Sequence, residues 1–194
     1  MGVEGVVTEV VPAADITTRV AQLGAEISAD YQGKTPVVVG VLNAALLFLA
    51  DLVRALEIPH EVEFLAVTRF GEGGRVRINM DTSVSLQDRH VLLVEDLVDT
   101  GLTLSFLREL FETRQVASLR TVTLLDKEPR RIVEVPLEYR GFGVGEEFLL
   151  GYGLDHGGRY RNLSSLWAVL DFAAFAADPE VLQRRVASGD RVLP

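Results

Sequence analysis

Cysteine is absent from the 194-residue chain. Disulfide frameworks, thiol nucleophiles and thiolate metal sites are therefore excluded. Positive charge is also scarce: 19 Lys and Arg stand against 28 Asp and Glu, a formal charge of −9. Non-specific nucleic-acid binding needs clustered Lys and Arg, so no nucleic-acid partner is expected. A polyanionic small molecule is still admissible, because a few backbone N–H groups can hold phosphate inside an acidic protein. No apolar run is long. The most apolar stretch, Val37 to Ala50, is interrupted by Asn43 and falls short of the roughly 20 residues a spanning helix needs, so no membrane association is expected. No basic stretch followed by an apolar run opens the sequence, which predicts no signal peptide and a cytoplasmic protein. Repeats, low-complexity tracts and linkers are missing too, so residues 1–194 are read as one domain. What is present is a 48% hydrophobic composition, enough for a packed core and too much for general disorder.

Periodicity places the elements. Ile16, Val20, Leu23, Ile27 and Tyr31 recur at helical spacing, with Asp15 as a candidate N-cap and Gly33 past the end. Val37–Val41 reads as a buried strand, followed by a helix from about Ala44 to Leu56. Glu61–Thr68, His90–Val94 and Leu119–Leu125 read as further strands, and Thr103–Glu112 as a helix. Gly71, Gly73 and Gly74 mark a mobile loop with Arg75 and Arg77 beyond it. Phe142–Val144, Phe148–Leu150 and Trp167–Leu170 are short strand candidates, and a helix is expected from Leu170 to about Val186. Alternating strands and helices predict an α/β fold with a mainly parallel sheet. Chemistry is then expected at the carboxyl ends of the strands, after Val41, Val94 and Leu125.

One segment carries most of the chemical signal: Val91-Leu92-Leu93-Val94-Glu95-Asp96-Leu97-Val98-Asp99-Thr100-Gly101-Leu102-Thr103. A buried strand ends in two adjacent carboxylates, and a turn then leads into a helix. The turn offers successive N–H groups, the Thr100 and Thr103 hydroxyls and the positive end of a helix dipole, which together make an anion cradle. Gly101 permits positive φ or close backbone approach. Carboxylates beside a phosphate cradle make sense if they accept from ribose hydroxyls and help hold Mg²⁺ against phosphate oxygens.

This segment resembles the phosphoribosyl pyrophosphate (PRPP) signature of the type I phosphoribosyltransferases, and other segments narrow the resemblance to the hypoxanthine-guanine group. Val39 to Ala45 is similar to that group's first active-site loop, Leu124-Leu125-Asp126-Lys127 to its base-recognition segment, and Phe148 to Asp155 to its hood motif, with Arg161-Asn162-Leu163 following. The resemblance implies a type I phosphoribosyltransferase fold: a mainly parallel sheet flanked by helices, with a small hood of terminal segments, chiefly about 126–165. It implies transfer of ribose 5-phosphate from PRPP to hypoxanthine or guanine with Mg²⁺. It also implies a homodimer or homotetramer, for which Leu46, Phe48 and Leu49 are candidate surface residues. A catalytically weak PRPP- or nucleotide-binding regulator, or a transferase for another base such as xanthine, is the alternative. The sequence does not rank hypoxanthine against guanine.

Carried over residue by residue, Asp99 is the catalytic candidate, exchanging a proton with purine N7. Asp99, Thr100, Gly101, Leu102 and Thr103 would hold the 5-phosphate, and Glu95 and Asp96 the ribose hydroxyls. Leu42, Asn43, Ala44 and Arg161 would hold pyrophosphate. Lys127, Phe148, Leu149 and Leu154 would meet the base, with Phe148 stacking on its face. Lys127 can only donate, which suits a 6-oxo group and not the 6-amino group of adenine. Glu95, Asp96 and Asp155 are the metal candidates. The chain departs from the family pattern at Asn43 and Ala44, usually Lys and Gly, and at Arg69-Phe70, usually Ser-Tyr. His156 replaces an aromatic and is read as a loop residue. The first loop of the family often carries a non-proline cis peptide, which Leu42–Asn43 is expected to accommodate.

Overall fold

The computed structural model describes residues 5–70 and 75–188. The expected mobile loop at Gly71, Gly73 and Gly74 lies outside them, as do the side chains of Arg69, Phe70 and Arg75. In chain order the elements are β1 (Val7–Val11), α1 (Ala13–Asp30), β2 (Val37–Leu42), α2 (Leu46–Ala55), β3 (Glu61–Phe70), β4 (Arg75–Met80) and β5 (His90–Val98). There follow α3 (Leu102–Thr113), β6 (Ser118–Asp126), a 3-10 turn (Glu128–Arg130), β7 (Tyr139–Gly143), β8 (Phe148–Leu150), β9 (Leu166–Val169), α4 (Phe172–Ala177) and α5 (Val181–Ser188). The chain divides into two compact units, Arg19–Gly145 and Met1–Thr18 with Glu146–Pro194.

The larger unit is built on a six-stranded sheet of order β4-β3-β2-β5-β6-β7. Its strands pair in parallel except for β3 and β4, which form an antiparallel hairpin. The pleat decides which helix covers which face. Val37, Val39 and Val41 share one face with Val91 and Leu93 and pack against Leu104, Leu107 and Phe111 of α3. Burying each such side chain is worth about 1.5–3 kcal/mol. Gly40 looks the other way, where a β-carbon would come within 2.4 Å of Leu49 on α2. The two helices therefore cover opposite faces, and the parallel β2, β5 and β6 deliver their carboxyl ends to one edge.

The outer side of this sheet carries a polar clasp. The Tyr139 hydroxyl donates to Asp30 Oδ2 at 2.7 Å, and Arg120 donates to the Tyr139 oxygen at 2.6 Å and pairs with Asp30. The hydrogen bond from Tyr139, with help from Arg120, holds the Asp30 carboxyl below the usual carboxylate range. Burial, with Asp30 as acceptor, pushes the Tyr139 phenol up to about 12.

The smaller unit holds a three-stranded antiparallel sheet, β1-β9-β8. Its core joins Val7, Leu150, Trp167 and Val169 to Phe175, Val181 and Leu182 of α4 and α5.

Several expectations need correction. Residues 126–145, part of the expected hood, belong to the larger unit, because β7 extends its sheet beside β6. The helix α1 starts at Ala13, directly after Pro12, so Asp15 lies in its first turn and is no N-cap. Arg75 and Arg77, beyond the expected loop, open a strand that was not foreseen, β4. The expected helix from Leu170 to Val186 is two helices, separated at Asp178-Pro179, where proline supplies no N–H to continue the ladder. Of the three residues considered for oligomer contacts, Phe48 and Leu49 are core and only Leu46 is exposed.

Candidate active site

At the carboxyl ends of β2 and β5 the larger unit has a cavity of about 310 Å³. Leu42, Asn43 and Ala44 line one part of it, and Glu95, Asp96, Asp99, Gly101 and Thr103 another. Seven of the residues expected around PRPP therefore share one cavity with the catalytic candidate. Strand β5 runs four residues further than expected, through Val98, so the acid pair sits on the strand and not in a loop. Pairing of Glu95 with Thr123 and of Val98 with Asp126 on β6 fixes it there.

The helix α3 begins as an anion site should. Gly101 is its N-cap with φ +84°, no side chain caps it, and no acidic residue stands in its first turn. The orphan N–H groups and the dipole are left for a ligand. Gly101 is required twice: its φ is unfavourable for other residues, and a β-carbon would meet the Val133 carbonyl at 2.3 Å. That contact arises because the Ile132 and Val133 N–H groups both donate to the Thr100 carbonyl, at 3.0 and 3.1 Å. The segment after β6 is thereby stitched under the turn. The Leu42–Asn43 peptide is cis, as the resemblance implied.

Sequence reasoning missed Arg130. Its Nε donates to Asp99 Oδ1 at 2.6 Å, so the catalytic candidate is held by a charged partner from the 3-10 turn. It also missed Asp126, a buried carboxylate paired with Arg131 and, at 3.2 Å, with Arg140. The available signal was the pair of arginines three and four positions beyond Lys127. Lys127 itself is only 6% exposed and so is no solvated surface lysine. Its backbone N–H donates to the Val98 carbonyl at 2.9 Å, tying it to the end of β5.

The remaining expected residues lie in the smaller unit. Phe148 is 39% exposed, whereas Leu149 and Leu154 are buried and can offer a ligand only backbone. Asp155 and Arg161 form an ion pair at 2.7 Å, and Arg161 also donates to the Gly153 carbonyl. Asp155 further accepts from the Gly158 N–H at 2.7 Å. His156 lies in a turn, as expected, and its ring stands edge-on to Phe148, with centroids 5.9 Å apart.

The carboxylate oxygens of Glu95 and Asp96 suit a hard divalent cation. Among the described residues no group of three or more acidic or histidine side chains forms a ready-made cage. One or two carboxylates plus substrate oxygens is how Mg²⁺ is usually held, so this donor set fits it.

Comparison with known proteins agrees with this geometry. The family model described as "Phosphoribosyl transferase domain" matches residues 7–156. The chain is 44% identical over 163 residues to a hypoxanthine phosphoribosyltransferase of Haemophilus influenzae, covering 80% of this chain and 91% of that one. It is 41% identical over 153 residues to a hypoxanthine-guanine phosphoribosyltransferase of Streptococcus pneumoniae, covering 77% and 85%. A crystal structure of a hypoxanthine phosphoribosyltransferase from Staphylococcus aureus superposes with a TM-score of 0.83 at 35% identity, over 89% of this chain and 95% of that one.

Proposed function

The chain belongs to the hypoxanthine-guanine phosphoribosyltransferase family, and on that premise we infer that it moves the 5-phosphoribosyl group of PRPP onto hypoxanthine or guanine. The products are IMP or GMP and pyrophosphate, and the activity is purine salvage. The observation that carries the reading is the cavity in which the acid pair, Asp99 and an uncapped helix N-terminus come together.

In this reading the 5-phosphate binds the N–H groups of the turn and the start of α3, with the Thr100 and Thr103 hydroxyls. Glu95 and Asp96 accept from the ribose hydroxyls and stand beside the divalent cation. Mg²⁺, when bound, neutralises pyrophosphate charge and orients it. Asn43 and Ala44 present backbone to the pyrophosphate, and Arg161 adds a guanidinium. Lys127 donates to the 6-oxo group, Phe148 stacks on the purine face, and the backbone of Leu149 and Leu154 meets the base edge. Asp155, whose two oxygens already accept from Arg161 and the Gly158 N–H, would be a further oxygen donor toward a cation.

The C1–O bond to pyrophosphate breaks and the bond from C1 to purine N9 forms. Positive charge grows on the ribose meanwhile, and the fixed carboxylates stabilise it. The proton on N7 passes to Asp99, which Arg130 holds in place until the base arrives. The enzyme works in the cytoplasm as a homodimer or homotetramer. The period-2 residues Val62 and Phe64 on β3, with Met80 opposite Ala66, give one exposed apolar face that supports this association.

The test is a panel assay with PRPP, Mg²⁺ and hypoxanthine, guanine, xanthine or adenine, followed by chromatography of the nucleotides. IMP and GMP are expected. A sole XMP product would make it a xanthine enzyme. PRPP binding by calorimetry without any nucleotide formed would make it a regulator, the outcome that the loss of Lys and Gly at Asn43 and Ala44 would then explain.

A further inference from the structure

Four aromatic rings of the smaller unit form a connected group, of which the reaction as described uses only Phe148. Phe148 and Phe172 stand edge-on with centroids 5.3 Å apart and planes at 75°. His156 closes a triangle, 5.9 Å from Phe148 and 5.8 Å from Phe172, edge-on to both at 89° and 84°. Phe175 lies beneath, fully buried, 5.4 Å from His156 and 6.4 Å from Phe172. Edge-on geometry is the favourable arrangement for such rings and adds to the gain from burial.

Phe172 is the unexpected member. It lies beyond residue 156, where the family model ends. It opens α4, whose start is set by Asp171, the N-cap that accepts from the Ala174 N–H at 2.9 Å. One turn on, Phe175 locks α4 into the core with Leu150, Trp167 and Leu182. Phe172 is itself 48% exposed, so its packing against Phe148 and His156 contributes little to the core. A half-exposed phenyl ring on a strand edge, such as Phe148, has free rotamers unless neighbours exclude them.

We propose that Phe172 is a positioning residue for the purine site: with His156 it clamps Phe148 edge-on, so that one face of Phe148 is fixed for a flat base. The proposal rests on Phe148 stacking with the base. The effect belongs to base binding and not to PRPP. A pre-oriented ring loses less rotamer freedom when the base arrives.

The test is steady-state kinetics of wild type, Phe148→Ala, Phe172→Ala, Phe172→Leu, Phe172→Tyr and the Phe148→Ala/Phe172→Ala double variant, with Tm recorded for each. Phe148→Ala should raise the base KM by about 5–100-fold, the range for loss of one stacked base. Phe172→Ala should raise it by about 3–10-fold, with PRPP KM unchanged. Phe172→Tyr keeps the ring and should match wild type, while Phe172→Leu keeps apolar bulk and should resemble Phe172→Ala. The double variant should be no worse than Phe148→Ala alone. Unchanged base KM in Phe172→Ala, or recovery in Phe172→Leu, overturns the proposal. Fully additive losses in the double variant also overturn it, because Phe172 would then touch the base itself. An unaffected base KM in Phe148→Ala would instead remove the stacking reading on which the proposal rests.

Discussion

The proposed phosphate-binding turn and the aromatic group show two ways of building a site. From Glu95 to Thr103, nine consecutive residues supply the acid pair, the proposed proton acceptor Asp99, the proposed anion cradle and the helix start. Strand pairing and one glycine place them, so contiguous sequence maps onto contiguous geometry. The aromatic group takes Phe148 from β8, His156 from a turn and Phe172 and Phe175 from α4. No spacing rule links those positions. Chemistry carried by backbone N–H groups and carboxylates at a strand end can be read locally, whereas chemistry carried by ring packing depends on tertiary structure.

Discrimination between bases should separate the two regions most sharply. In the proposed site, stacked rings accept any purine, while Lys127 offers only donors and would leave a 6-amino group without an acceptor. The catalytic efficiency for adenine should fall below that for hypoxanthine by about 10⁴–10⁵-fold, as at other sites built around such hydrogen bonds. Comparable efficiencies, measured at saturating PRPP, would move base choice away from Lys127. Next in size is Asp99→Asn, which keeps shape but loses the proton acceptor. Turnover should drop by about 10²–10⁴-fold with the protein folded, and a rate within threefold of wild type would deny Asp99 that role.

Smaller effects sharpen the edges. Asn43→Lys restores the charge common in the family at an exposed position in the cavity. PRPP KM at fixed Mg²⁺ should fall by about 2–5-fold, the scale of an exposed ion pair, with base KM unchanged. An unchanged or higher PRPP KM would show that the missing ammonium does not limit binding. Tyr139→Phe serves as a control for both regions. It removes a hydrogen bond from the clasp on Asp30 and should cost about 1 kcal/mol in denaturant titration while leaving both KM values intact. The phenol is held neutral in the fold, with its pKa raised to about 12. Its contribution is thus full below the unfolded value near 10 and is lost as pH rises through 12. The variant should show a weaker alkaline loss over that window.

Much of the fold was legible because apolar β-branched runs and helical periodicity are local. The strand at Phe148–Leu150 matches its expected bounds, and β2, β5 and β6 were found with their ends set short. Strand β1 escaped because Thr8 and Glu9 interrupt its pattern, and its partner β9 is far along the chain. Strand β4 escaped because Arg75, Arg77 and Asn79 interrupt its apolar pattern, although pairing with β3 makes the segment one arm of a hairpin. In the site, Glu95, Asp96, Asp99, Gly101 and Thr103 of the contiguous motif line one cavity. The Arg130 clamp on Asp99 and the Phe172 contact were not foreseen, since each joins residues from separate elements.

The central claim is group transfer, and product stoichiometry tests it most directly. With wild-type enzyme, PRPP, Mg²⁺ and hypoxanthine, IMP and pyrophosphate should appear in equal amounts as hypoxanthine disappears, and neither should form when PRPP or the base is omitted. Pyrophosphate released without IMP, or PRPP bound with neither product formed, would contradict the account.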